Sequence, residues 1–149
     1  MEHTVELSML EIYNEKVQDL LVKPNSRPKD GLQVRQHPTK GVYVEGAKFV
    51  PVSSYEEIDS QVDVGTNNRT IGSTNMNATS SRAHTVVQIR FSQKEFDMET
   101  GMPKRKLESN INLIDLAGSE RSSSTGATGD RAKEGVNINQ SLSTLGKVI

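Results

Sequence analysis

The sequence predicts an α/β fold with a mixed central sheet flanked by helices. Near the N-terminus Val5, Leu7 and Met9 alternate with polar residues, which is the period of a strand. "NINLIDL", residues 110–116, is apolar almost throughout, the pattern of a strand covered on both faces. Segments of helical spacing accompany these strands. Tyr55, Ile58 and Val62 share one face, and Ile138, Leu142, Leu145 and Ile149 step by four, three and four.

Taken in order, "TVELSMLEIY" reads as a strand whose alternation slips at Leu10, and Val17, Leu20 and Leu21 predict a short helix or turn after it. "VKPNSRPKDG" is a loop, broken by two prolines, Asn25 and Gly31. "LQVRQH" and "GVYVEGAKFV" are short strands around the turn "PTKG". Ser54 with Glu57 three residues on is a capping box, so a helix starts there. "TNNRTIGSTNMNATSSRAH" is polar and reads as helix end and loop; "TVVQIRFSQKEF" is a strand and "DMETGMPKRK" a turn. After "NINLIDL" comes a long glycine-bearing loop, the kind of segment that is usually functional or disordered. The last helical pattern is still running at Ile149, which predicts a fragment.

Composition narrows the function classes. The 149 residues suit one domain or part of one, and 33% hydrophobic content is lean for a closed core. The net charge of -1 provides no global field for nucleic acid or an anionic membrane. With no cysteine, disulfides and thiolate metal sites are excluded. The N-terminus lacks the basic-then-apolar order of a signal peptide, and no apolar run approaches the roughly 20 residues a membrane helix needs.

Chemistry concentrates in two stretches. In "INLIDLAGSE" an apolar strand ends in Asp115, and Gly118 follows. An acid so placed can hold a magnesium ion through water, and a glycine lets a backbone N–H approach a phosphate. The alternative is an aspartate capping its own turn. In "NATSSRAH", residues 77–84, neutral oxygens and donors stand beside the fixed positive fork of Arg82. The alternative there is a solvated polar loop. The first stretch follows one strand and the second precedes another, so in a layered fold both can open on the same sheet edge. His84 alone also suits a packed, neutral imidazole.

These stretches resemble a known family. "NMNATSSRAH" is similar to the first switch of kinesin motor domains, N-x-x-S-S-R-S-H, and "DLAGSER" to their second switch. "EIYNEKVQDLL" resembles the family's strand and short helix ahead of the nucleotide-sensing region. "GATGDRAKEGVNINQSLSTLGKVI" resembles its microtubule-facing loop and relay helix. The likeness covers residues 1–149 in the family's order. The first switch falls at about 77–84, the second at about 115–121, and the loop and relay helix at about 122–149.

The resemblance implies a fragment of a P-loop NTPase-like motor domain with ATP and Mg2+ as cofactors and microtubules as partner. It implies a place in the cytoplasm on the cytoskeleton, with neither nucleic-acid nor membrane contact from this segment. Asn77, Ser80 and Ser81 would reach the phosphates, Ser81 and Asp115 the magnesium, and Gly118 the γ-phosphate. Arg82 and Glu120 would bridge the two switches when both close. Ala83 departs from the family's usual serine, with little change expected because Ser81, Arg82 and His84 are intact. Lys48, Arg131 and Lys133 would meet acidic tubulin, or else are scattered surface charges. "KRK" at 104–106 suits a solvated hairpin edge. The phosphate-cradling G-x-x-x-x-G-K-[ST] does not occur in these residues, so the 149 residues alone are expected not to turn over ATP. Competing expectations are a non-catalytic microtubule-binding fragment and a truncated gene model.

Overall fold

The computed structural model describes residues 1–39, 41–73, 82–118, 136, 139, 140 and 143. Seven strands and one long helix are defined among them: β1 (Glu2–Tyr13), β2 (Lys16–Asp19), β3 (Val34–His37), β4 (Gly41–Val44), β5 (Val50–Val52), α1 (Tyr55–Ser73), β6 (His84–Phe96) and β7 (Pro103–Asp115). The main sheet runs β2-β1-β6-β7, with β5 also paired to β1, and β3-β4 form a separate two-stranded sheet. Every ladder among the described strands is antiparallel.

Where a short helix or turn is expected after β1, the chain forms strand β2 and then a turn at Leu20 and Leu21: Val17 sits opposite Ile12 in a tight hairpin. Its two-residue turn, Asn14 and Glu15, has φ of 48° and 63°. Positive φ at both central residues gives the right-handed twist that lets two strands re-pair at once, so helical spacing at Val17, Leu20 and Leu21 loses to turn geometry. The turn lacks the glycine that usually announces it. Beyond β2, Asp19 is 2% exposed and fully engaged. One carboxylate oxygen accepts the Leu21 N–H at 2.8 Å and the other the Lys48 N–H at 2.7 Å.

β1 is the central strand. Leu7, Ser8, Met9 and Leu10 are all buried in succession, so both of its faces are covered there. That explains the slip in alternation at Leu10. Leu7, Met9, Leu20, Leu21 and Val52 form the core, with Ile58 and Val62 of α1 packed against it. Helix and strand approach so closely that a Cβ at Gly65 would lie 2.2 Å from the Met9 sulfur. Tyr55 does not join this face. At the first helical position it is 72% exposed, because the helix enters over the sheet's margin and reaches the core only a turn later.

β7 corrects a second expectation. Its apolar run predicted a strand covered on both faces, yet every residue from Pro103 to Asp115 is exposed. Among the described residues the strand has no neighbour beyond β6, and α1 lies over the Leu7–Met9 part of β1, two strands away. Leu107, Ile111, Leu113 and Ile114 are therefore exposed. The basic run 104–106 lies exposed on this strand, as expected. Of the C-terminal helical pattern, Val136, Asn139, Gln140 and Ser143 are helical; Ile138, Leu142, Leu145 and Ile149 lie outside the described residues.

The capping box at α1 forms with one change of partner. The Ser54 hydroxyl accepts the Glu57 N–H at 3.3 Å, but Glu57 reaches back to Ser53, whose N–H and hydroxyl it accepts at 2.6 and 2.9 Å. The Ser53 backbone bond, then the Ser53 hydroxyl, hold the Glu57 carboxyl below its usual value. A carboxyl depressed in the folded state stabilises above its unfolded pKa, and that contribution vanishes as pH falls through the folded value. Relative to the intrinsic rate at each pH, amide exchange over Ser53–Ile58 should therefore rise as the solution is acidified past the ordinary glutamate range. Glu57→Gln should raise it at neutral pH and reduce the pH dependence.

Candidate functional site

The site follows from the register of the β6–β7 hairpin. Thr85, the second residue of β6, lies opposite Asp115, the last residue of β7. The segment that ends at His84 and the turn that begins after Asp115 thus open at the same end of the sheet. The layered arrangement expected from sequence places them together, and an antiparallel ladder is what does it.

The same register extends inward. Thr85 also faces Glu11 on β1, so Glu11, Thr85 and Asp115 form one row across three strands. Directly opposed residues in a ladder share a face. Behind this row on that face come Met9–Val87–Leu113 and Leu7–Ile89–Ile111, the rows under α1. Arg69 of α1 donates to the Thr85 hydroxyl at 3.0 Å. The Asn68 amide donates to the Leu20 carbonyl at 2.8 Å, fixing the helix beside the end of β2.

His84 is buried on the opposite face, and its Nδ1 accepts the Ala117 N–H at 3.0 Å. This places the ring proton on Nε2 and agrees with the packed imidazole. It also removes one donor from the capping reading of Asp115. An aspartate capping its own turn accepts the N–H two residues on, here that of Ala117. That donor is taken by His84. Among the described residues no hydrogen bond reaches the Asp115 carboxylate, which is exposed.

An exposed carboxylate at a strand end is a hard oxygen donor of the kind magnesium takes in ones and twos while keeping its water. Among the described residues no three acids, histidines or cysteines cluster. Gly118 is exposed directly after the buried Ala117. Arg82 stands two residues before β6, half-buried and with a partner of its own. Asn77, Ser80, Ser81, Glu120, Arg131 and Lys133 lie outside the described residues. Lys48 is exposed and is not brought to this end. Its N–H is held by Asp19 beside β2, at the sheet edge opposite β7.

Three residues here were not singled out from sequence: Glu11, Arg69 and Thr85. Burial pushes the Glu11 carboxyl up, while the Arg69 and then the Arg27 guanidinium oppose that rise. Arg69 carried a readable signal. Ile58, Val62, Gly65 and Arg69 step by four, three and four, so a cation occupies an inward position of α1.

The whole chain, residues 1–149, matches the family model described as the kinesin motor domain. The chain belongs to the kinesin motor-domain family. It is 56% identical over 143 residues to kinesin-related protein 1 of Dictyostelium discoideum, covering 96% of this chain and 6% of that protein. It is 53% identical over 149 residues to kinesin-like protein KIF1A of Rattus norvegicus, covering all of this chain and 8% of the relative. Among solved kinesins, the ADP state of KIF14 in complex with a microtubule superposes with a TM-score of 0.84 at 45% identity, over 99% of this chain and 42% of that one. The AMP-PNP, two-heads-bound state of a KIF14 dimer on a microtubule gives 0.81 at 45% identity, over 99% and 41%. The chain thus spans under a tenth of these two curated kinesins and about two-fifths of the solved kinesin chains.

Proposed function

We propose that the protein is an ATP-driven motor moving on microtubules and that this segment supplies both switches of its nucleotide site. The observation that carries the reading is the pairing of Thr85 with Asp115. It brings residues 82–84 and 115–118 to one end of the sheet. Support also comes from the Asp115 carboxylate, which is exposed and accepts no hydrogen bond among the described residues.

In this reading Asn77, Ser80 and Ser81 bind and orient the phosphate end, and the Gly118 N–H donates to the γ-phosphate. Asp115, through water, and Ser81 hold magnesium, which when bound draws charge from the phosphate oxygens. Arg82 and Glu120 bridge the two segments only while the γ-phosphate is present, so loss of that group releases them. Lys48, Arg131 and Lys133 offer positive charge to tubulin. The protein works at the microtubule cytoskeleton of the cytoplasm.

The test is microtubule-stimulated phosphate release by the full-length protein, with a double-mutant cycle on the bridge. Arg82→Ala and Glu120→Ala should each slow turnover more than they weaken ATP binding, because closure follows binding. A stranded partner in a partly dry site corresponds to about 3 kcal/mol. The charge-swapped double variant should recover part of the activity. Additive losses without coupling energy would make Arg82 a direct phosphate ligand instead. Microtubule binding with no turnover would leave a non-catalytic binder.

A further inference from the structure

Glu11 is an acid that the proposed chemistry does not use. It sits on β1, half-buried, in the row that ends at Asp115. Its opposite neighbour on β6 is Thr85, and directly opposed side chains start only about 5 Å apart. The guanidinium of Arg69 comes down from α1 onto the Thr85 hydroxyl at 3.0 Å. Carboxylate, hydroxyl and guanidinium therefore meet on one patch of the sheet. A second guanidinium lies near, but Arg27 is already bound to backbone: it donates to the Val22 carbonyl at 2.9 Å and the Asn68 carbonyl at 3.4 Å.

We propose that Glu11 is a positioning residue for the nucleotide site, holding the Arg69 guanidinium on the Thr85 hydroxyl and so fixing where residues 82–84 leave the sheet relative to Asp115. This rests on the reading of that sheet end as the nucleotide site of a motor. The physical argument is one of restraint. Arginine has a long side chain with several rotamers, and a hydrogen bond to a neutral hydroxyl holds it weakly. The half-buried carboxylate opposite the same hydroxyl adds a longer-range electrostatic tether, without a direct ion-pair contact. The head of β6 is where such a tether matters. Thr85 is three residues from Arg82 and opposite Asp115, so a shift there changes the spacing between the two motifs. The tether also crosses three elements distant in sequence, β1, α1 and β6, so that the sheet and the helix locate this strand end together.

The experiment uses the full-length protein and the variants Glu11→Gln, Arg69→Met, Thr85→Val and the Glu11→Gln/Arg69→Met pair. Glu11→Gln should lower microtubule-stimulated kcat about tenfold with KM for ATP changed less than about twofold, the signature of lost positioning and not of lost binding. The double variant should be no slower than Arg69→Met alone. Thr85→Val, which removes only the hydroxyl, should show the same kcat pattern. Without nucleotide, hydrogen exchange at the Thr85 and Val86 amides should rise about tenfold in Glu11→Gln, while the Leu7 and Met9 amides keep their rates. Wild-type kcat in Glu11→Gln, multiplying losses in the double variant, or faster exchange spread evenly over the sheet would each overturn the proposal. If the unaltered protein shows no microtubule-stimulated turnover, the reading of the site fails and this inference with it. If only the Glu11 variants behave as wild type, this inference alone fails.

Discussion

Replacing Asp115 by asparagine should lower microtubule-stimulated ATP turnover of the full-length protein by about 100-fold or more while leaving its stability nearly unchanged. The two halves of this expectation come from different observations. Asp115 is exposed at the end of β7, and among the described residues no hydrogen bond reaches its carboxylate. An exposed, unengaged side chain contributes little to folding, so the change should stay within about 0.5 kcal/mol. Asparagine keeps the shape and loses the charge. A neutral amide is a poor ligand, even through water, for a small dication that must stay near the phosphates. Turnover with and without microtubules, beside a denaturation curve, checks both halves. A large stability loss with proportionate activity loss would make Asp115 a structural acid.

Asp19→Ala should show the reverse, a loss of stability of about 4 kcal/mol with no direct effect on chemistry. The carboxylate is 2% exposed and accepts the Leu21 and Lys48 amides, one on each oxygen. Both are charge-assisted bonds. Removing the acid leaves two inward amide donors without an acceptor and opens a small cavity beside Leu20, which is fully buried. Asp19→Asn keeps a single acceptor oxygen and turns an NH2 toward the other donor, so it should lose roughly half as much. Chemical denaturation of the full-length protein orders the three forms. Because the segment from Ala47 into β5 is fixed to β2 by the Lys48 amide, exchange should rise first around Lys48 in the alanine variant.

What could be read from the sequence, and what could not, divides along physical lines. β1 was legible by its alternation, the end of β7 by its apolar run, and α1 because Ser54 and Glu57 mark its start. The β1–β2 hairpin was hidden: Asn14 and Glu15 adopt positive φ without the glycine that usually reports it. β7 was legible as a strand but not as an exposed one, since apolar content alone says nothing about what lies beside it. Asp115, Gly118 and Arg82 stand out by motif. The row Glu11–Thr85–Asp115 does not, because it exists only once the register of three strands separated by long stretches of chain is set. Arg69 fell within a polar run that reads as helix end and loop. The helix in fact continues to Ser73, so the inward position of Arg69 became meaningful only with the longer helix.

The β6–β7 ladder also separates two engineering demands on one piece of chain. Its Thr85–Asp115 end carries the proposed nucleotide site, and a one-residue slip there would turn Asp115 to the other face. Its far end is a turn through Asp97–Met102, with Asp97 accepting the amides of Glu99 and Thr100 and an irregularity in register between Glu95 and Phe96. The ten steps from Thr85 to Glu95 put the regular part's ends roughly 34 Å apart. Extra residues at the turn can be taken up by that irregularity before they reach the paired rows. The tip around Met98, fully exposed, is therefore where a fluorophore or an epitope can be carried while the register at Asp115 is kept.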